Sequence, residues 1–393
     1  MFKKILLAIG LLVIFGFIFL TLSKQPEPFP EGSVSEKLVQ AGKYEVVEAE
    51  FVLRDDSRVT QAHDYSKGFE GLPYRQLPVT VWSPKGTDGG RRPLLIYTHG
   101  LMSDRNDLEY IAQHLSSYGY VVVAADYPLT SRSSGEALFI ADVVNQPGDI
   151  AFLFSQITNS ETEIGTAFSN RVDPDRLGLF GYSLGGLTST LAAYHPTAKL
   201  PQVKAVAAIA GPSAMLSERF FRTSEVPFMM LAGTADGVVP YADHAKVIAG
   251  RVDNSILVSI DGGSHMGFAG IARYMRWLDN PDSLMCNLMN SKMESLGLER
   301  GAEEKSWYPL IGSLDQGVIY DDPSVACAPD GHHPVAINPI KQQMVSMLAT
   351  LAFFDSLFAD TKVERDQSKQ FLLITFAQEN AMVKVEGEFS GVE

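Results

Sequence analysis

From residue 93 the chain settles into one rhythm. The runs PLLIYTHG (93–100), YVVVAADYP (120–128), RLGLFGYS (176–183), VKAVAAIAG (203–211), PFMMLAGT (227–234) and SILVSIDGG (255–263) are almost continuously apolar, and each ends in glycine or a polar residue. Strands buried on both faces read this way. Between them lie segments compatible with helices, at 107–118, 136–157, 185–195 and 241–250. Such alternation predicts an α/β fold, a mostly parallel sheet with helices on both faces. Upstream, YEVVEAEFVL (44–53) and LPVTVWSP (77–84) alternate enough to be antiparallel edge strands, and the polar segment between them should cross the surface.

After residue 265 the rhythm stops. Residues 270–338, rich in Asp, Asn, Met, Pro and aromatic side chains, read as an irregular, partly helical insert. The stretch NPIKQQMVSMLATLAFFDSLFAD (338–360) predicts an amphipathic helix, with Asn338 as N-cap and Pro339 in its first turn. Farther on, FLLITFA and AMVKVEGEF suggest a hairpin. The chain thus divides into an N-terminal segment (1–23), a proline-bearing linker (24–43), one domain (44–362, with the insert at 270–338) and a C-terminal extension (363–393).

The first segment changes the setting. Lys3 and Lys4 precede an uncharged apolar run at 5–22, long enough to span a bilayer. The two lysines favour a cytoplasmic N-terminus and export of the rest. No small-x-small pair marks a cleavage point, so the expectation is a signal anchor with the domain held outside the cytoplasm. Cleavage, giving a secreted or periplasmic protein, is the alternative. Lysine and arginine total 32 against 46 acidic residues, a net charge of −14 with no dense basic patch. That excludes nucleic acid as a partner. Cys286 and Cys327 are the two cysteines; in an exported chain they are expected to pair, and they lack metal-site spacing.

Candidate chemistry gathers around LGLFGYSLGGLTST (177–190). Gly181-x-Ser183-x-Gly185 follows a buried-type strand and precedes a helix, the context of a nucleophile elbow. The turn strains the serine backbone, so its neighbours must lack side chains. A serine hydroxyl also needs a base. His265, in DGGSHMGF just past the last strand of the repeat, has the loop position for it; His195, His332 and His333 are rivals, and His99 reads as a structural hydrogen-bonder. Asp236 in GTADGVVP lies between serine and base at a strand end and can orient the imidazole; Asp243 and Asp261 are the alternatives. Backbone N–H groups of Leu101 and Leu184 are placed to meet a developing oxyanion. Met102, Tyr127, Met266 and Phe268 flank the site and suggest apolar walls for the substrate.

Taken together, HGLMSDRNDLEYIAQHLSSYGYVVVAADYP, GYSLGG, GTADGVVP and GGSHMGF resemble the α/β-hydrolases. More narrowly they are similar to dienelactone-hydrolase-like and platelet-activating-factor-acetylhydrolase-like serine esterases, over roughly residues 44–265 and the helix near the end. The resemblance implies an eight-stranded, largely parallel sheet and ester hydrolysis without a cofactor. It places the nucleophile on Ser183, the acid on Asp236, the base on His265 and the oxyanion donors on Leu101 and Leu184. Dienelactone hydrolases proper carry cysteine as nucleophile, so the resemblance extends to fold and site rather than to that substrate. The expected activity is a serine carboxylesterase working through an acyl-enzyme on a small-molecule or lipid ester. Lipase, phospholipid-type acyl hydrolase, peptidase and polyester hydrolase are related alternatives. A catalytically silent scaffold at the membrane is the alternative of another class.

Overall fold

Each of the six apolar runs from residue 93 onward becomes a strand. The computed structural model describes residues 10–16, 18, 24–64, 68–86, 89–296, 306–321, 324–327 and 333–390. Among the described residues one sheet is built from β1 (Val46–Asp55), β2 (Arg75–Pro84), β3 (Arg92–Thr98), β4 (Val121–Ala125), β5 (Val172–Tyr182), β6 (Val203–Ile209), β7 (Phe228–Gly233), β8 (Ser255–Ile260) and β9 (Val383–Glu388). The order is β1-β2-β4-β3-β5-β6-β7-β8-β9. Pairing is parallel from β4 across to β8, and antiparallel for β1–β2, β2–β4 and β8–β9.

The helices that cover the sheet or meet the site are α1 (Glu109–Ser117), α2 (Gln146–Thr158), α3 (Leu184–Tyr194), α4 (Asp282–Leu296) and α5 (Pro339–Phe358). α2 and α3 share one apolar layer with one face of the sheet; α1 and α5 share the other. This is the α/β-hydrolase architecture. Covering both faces explains why the central strands need no alternation. Leu187 and Leu191 of α3 are almost fully buried, each worth about 1.5–3 kcal/mol in apolar burial. β3 has β4 on one side and β5 on the other, so the chain reverses its direction of travel there. The crevice above the strand ends at such a switch is where α/β sheets bind ligands.

The strand count exceeds the expected eight by one. β9 pairs with β8 from Ser255↔Glu388 to Ile260↔Val383, so the extension closes a sheet edge. No hairpin forms, because FLLITFA is helical. It continues the helix Lys362–Gln370, begun by a capping box of Thr361 and Glu364, and buries Phe371, Leu372 and Phe376. Two expected helices are also reduced. Of 136–157, only the part after residue 145 forms α2, with Pro147 in its first turn. The segment 241–250 forms turns and ends in a single 3-10 turn at Ile248–Gly250 rather than an α-helix: Ser213 Oγ donates to the His244 carbonyl at 2.5 Å, a tertiary bond in place of a helical one.

Residues 24–43, expected as a linker, dock along the body. Phe29 is buried beneath the Lys341 ammonium, 3.6 Å from its ring centroid, and Ser35 bonds to Glu379. The expected anchor at 5–22 falls largely outside the described residues. Among the described residues no helix is long and apolar enough to cross a membrane.

Candidate active site

The loops after β3, β5, β7 and β8 converge at one edge of the sheet. Ser183 follows β5 with φ 54° and ψ −123°, a conformation that favours glycine and that a serine occupies at a cost. Its neighbours explain how the turn closes. A Cβ on Gly181 would collide with the Gly185 carbonyl and Thr98 Oγ1, and a Cβ on Gly185 would collide with the Thr98 carbonyl. Thr98 Oγ1 donates to the Gly185 carbonyl at 2.7 Å, tying the elbow to β3. α3 begins at the next residue, so its dipole points its positive end at the serine.

His265 Nε2 lies 2.9 Å from Ser183 Oγ, and His265 Nδ1 lies 2.8 Å from Asp236 Oδ2. The other oxygen of Asp236 accepts from the N–H groups of Val238 and Val239 at 2.9 and 2.7 Å, which fixes the carboxylate plane. Burial alone would push the His265 imidazole down. The Asp236 carboxylate, with Asp282 and Asp107 beyond it, outweighs burial and holds its pKa above the ordinary value. Tyr182 packs its ring against the imidazole, centroids 5.1 Å apart, and donates its hydroxyl to the His265 carbonyl at 3.1 Å.

Leu101 and Leu184 both line the cavity beside Ser183, and among the described residues neither N–H is taken by a protein acceptor. Gly100 lets this loop approach: a Cβ there would stand 3.1 Å from that of Ser183. His99 secures the same loop. The Tyr127 N–H donates to its Nε2 at 3.0 Å, so Nδ1 carries the proton and donates to the Gly100 carbonyl at 2.7 Å. Burial lowers the His99 pKa and keeps the ring neutral.

The rivals stand elsewhere. His195 ends α3, accepting from Thr197 and Ala198 N–H and reaching the Ile311 carbonyl. Asp261 accepts from Thr234, and no bond joins Asp243 to His265. His333 lies against Gly237, whereas His332 is outside the described residues.

A cavity of about 280 Å³ opens above Ser183. Met102 and Met266 lie on its lining. Tyr127 and Phe268 do not: both are fully buried, Tyr127 against His99 and Phe268 against Tyr182. Their places are taken by residues the sequence did not single out, among them Val238, Met215 and, from the insert, Met285, Met289, Trp307 and Tyr308. Cys286 and Cys327 form a disulfide within that insert. Asp282, at the start of α4, also escaped notice, although it is fully buried beside the histidine loop. The stretch Asn280-Pro281-Asp282 signals a helix start, but nothing local signals what the carboxylate touches.

Residues 78–283, just over half of the chain, match the family model described as PETase, PET hydrolase-like. The chain belongs to this PET hydrolase-like family. The match runs from β2 into the first turn of α4, so it takes in the loops after β3, β5, β7 and β8 but not the cavity-lining part of the insert beyond residue 283. Family and fold together make the protein an ester-hydrolysing enzyme of the α/β-hydrolase type. No curated protein matches the sequence significantly.

Proposed function

We propose that the chain is a serine esterase that cleaves esters of apolar acids through an acyl-enzyme. The observation that carries this reading is the unbroken line of hydrogen bonds from Asp236 through His265 to Ser183, ending on a strained serine beneath an apolar cavity. Ser183 Oγ attacks the carbonyl carbon while His265 Nε2 takes its proton. Asp236 accepts from Nδ1–H and stabilises the imidazolium that forms. The N–H groups of Leu101 and Leu184 receive the negative charge that builds on the carbonyl oxygen. The imidazolium then protonates the departing alcohol. A water, deprotonated by the same nitrogen, attacks the acyl-enzyme, releases the acid and restores the serine hydroxyl. No step calls on a metal or organic cofactor.

The family's description favours a second reading, attack on an aromatic polyester. The half-enclosed cavity, walled on one side by the insert, favours a single acyl unit or a chain end over the middle of a polymer. A p-nitrophenyl ester series of rising chain length, a soluble hydroxyethyl terephthalate diester and amorphous polyester film separate these readings. The expected result is turnover of the small esters, dependent on Ser183, with slow or no release from film. Rapid film erosion would shift the assignment to the polymer. A folded wild type that neither turns over esters nor reacts with a fluorophosphonate would leave only a binding scaffold.

Export of the domain, tethered by the N-terminal segment, is part of the proposal. Lys3 and Lys4 before the apolar run support it, as does a disulfide of the kind that persists in oxidising compartments. A mature N-terminus beyond residue 22, determined on native material, would replace the tether with a cleaved signal.

A further inference from the structure

The acid and base of the proposed site ride on separate loops, after β7 and β8, and their 2.8 Å contact depends on how those loops are held together. One buried carboxylate reaches both. Asp282 Oδ2 accepts from the Gly237 N–H at 2.9 Å and from the His265 N–H at 2.9 Å, and its Oδ1 accepts from the Met266 N–H at 2.7 Å. All three donors belong to the catalytic loops and none to its own helix, so this residue is not serving as an ordinary helix cap. Its own position is set by Asn280, whose Oδ1 accepts the Asp282 N–H at 2.9 Å and whose Nδ2 donates to the carbonyls of Ala235 and Pro334.

We propose that Asp282 is a positioning residue for ester hydrolysis: its carboxylate ties the backbone beside Asp236 to the backbone of His265 and so holds the imidazole on its acid. The inference rests on the esterase reading above. It gives the insert a role in the reaction beyond walling the cavity, because α4 delivers this side chain. Asp282 also adds a negative charge near the imidazole. The groups that face His265 are the carboxylates of Asp236, Asp282 and Asp107, the phenol of Tyr182 and the hydroxyl of Ser183. Removing one carboxylate from this set must make the imidazolium easier to deprotonate.

The test compares wild type, Asp282→Asn and Asp282→Ala on a p-nitrophenyl ester over a full pH range, with Ser183→Ala as the inactive control and melting followed by circular dichroism. In Asp282→Ala, kcat falls on the order of 100-fold while KM holds, the cost of a catalytic group misplaced by about an ångström. Asp282→Asn keeps the shape and two of the three acceptor contacts, so it recovers most of kcat. Having lost the charge, it shifts the acid limb of kcat/KM to lower pH. A merely structural role would lower the melting temperature of both variants and leave the pH profile alone. Should Asp282→Ala fail to fold, the pH profile of Asp282→Asn decides. Wild-type kcat and pH profile in the folded variants would overturn the clamp alone. A wild type that turns over no ester would overturn the esterase reading first and the clamp with it.

Discussion

The sheet body and the insert build one site by different rules. In the body, Leu101, Ser183, Asp236 and His265 each follow the C-terminal end of a strand, where the regular backbone stops and a loop begins. The local sequence announces every one of these ends with glycine, because the chain must turn tightly there. In the insert no rhythm announces anything. It nonetheless supplies Met285, Met289, Trp307 and Tyr308 to the cavity, Asp282 to the loops beneath, and a disulfide. The proposed chemistry thus rests on backbone geometry at strand ends, which the local sequence marks. The enclosure is set by tertiary contacts, which leave no periodic trace.

The largest effects should come from the body. Ser183→Ala is expected to lower kcat by about five to six orders of magnitude with the fold intact, as losses of an activated nucleophile do. Asp236→Asn should cost roughly four orders, because the amide favours the wrong imidazole tautomer. Steady-state kinetics on a short-chain p-nitrophenyl ester measure both. A loss below tenfold in Ser183→Ala would move the chemistry away from the elbow. The same assay reads the pH dependence. In the proposed mechanism His265 acts as base only when neutral, and the surrounding carboxylates hold its pKa above the ordinary value. Wild-type kcat/KM should therefore climb with pH through a limb lying above that of a free imidazole. A limb at or below the ordinary imidazole value would mean that burial outweighs the carboxylates.

The legibility of the fold follows the same division. The eight strands of the body and α1, α3 and α5 follow from apolar runs and from signals such as Asn338, whose side chain accepts the Ile340 N–H at 2.9 Å. The failures share one cause. AMVKVEGEF does form a strand, β9, but it pairs with the open edge of β8 rather than with FLLITFA, which is helical. The segment 241–250 loses its helix to Ser213, which is distant in sequence. Tyr127 and Phe268 flank the site along the chain but turn into the core, because sequence neighbourhood at a strand end does not say which way a side chain points. In each case a long-range contact overrides the local pattern.

Effects of intermediate size should come from the insert wall. Met285 and Met289 stand one turn apart on α4, half-buried, and both face the cavity. Replacing both with alanine lengthens the cavity without emptying the main core. The preferred acyl chain should grow longer, with the ratio of kcat/KM for long over short chains rising about tenfold or more, the worth of a methylene or so of pocket space. The chain-length series measures this directly. An unchanged preference would mean that the acyl group lies on the other side of Ser183, toward Met102 and Met215.

The smallest effect on rate is expected from the disulfide, and it divides the insert's two roles. Cys286 lies one turn beyond Asp282 on α4, and the Cys327 N–H donates to the Gly237 carbonyl at 2.8 Å, next to Asp236. Gly237 is therefore held on its N–H by Asp282 and on its carbonyl by Cys327. The bridge spans 41 residues, and in the chain-entropy model its loss costs about 4 kcal/mol, a fall in Tm of roughly 5 °C for a chain of this size. In the Cys286→Ser, Cys327→Ser double variant the Asp282 contacts and the Cys327 backbone bond can persist. The rate at 25 °C should then fall only a few-fold, with the acid limb of the pH profile in place. Calorimetry and the ester assay on the same preparation test the separation. If the rate collapsed together with the melting temperature, the hold of Asp282 on the two loops would itself depend on the covalent staple. The insert would then act as one mechanical unit, in which enclosure and positioning cannot be mutated apart.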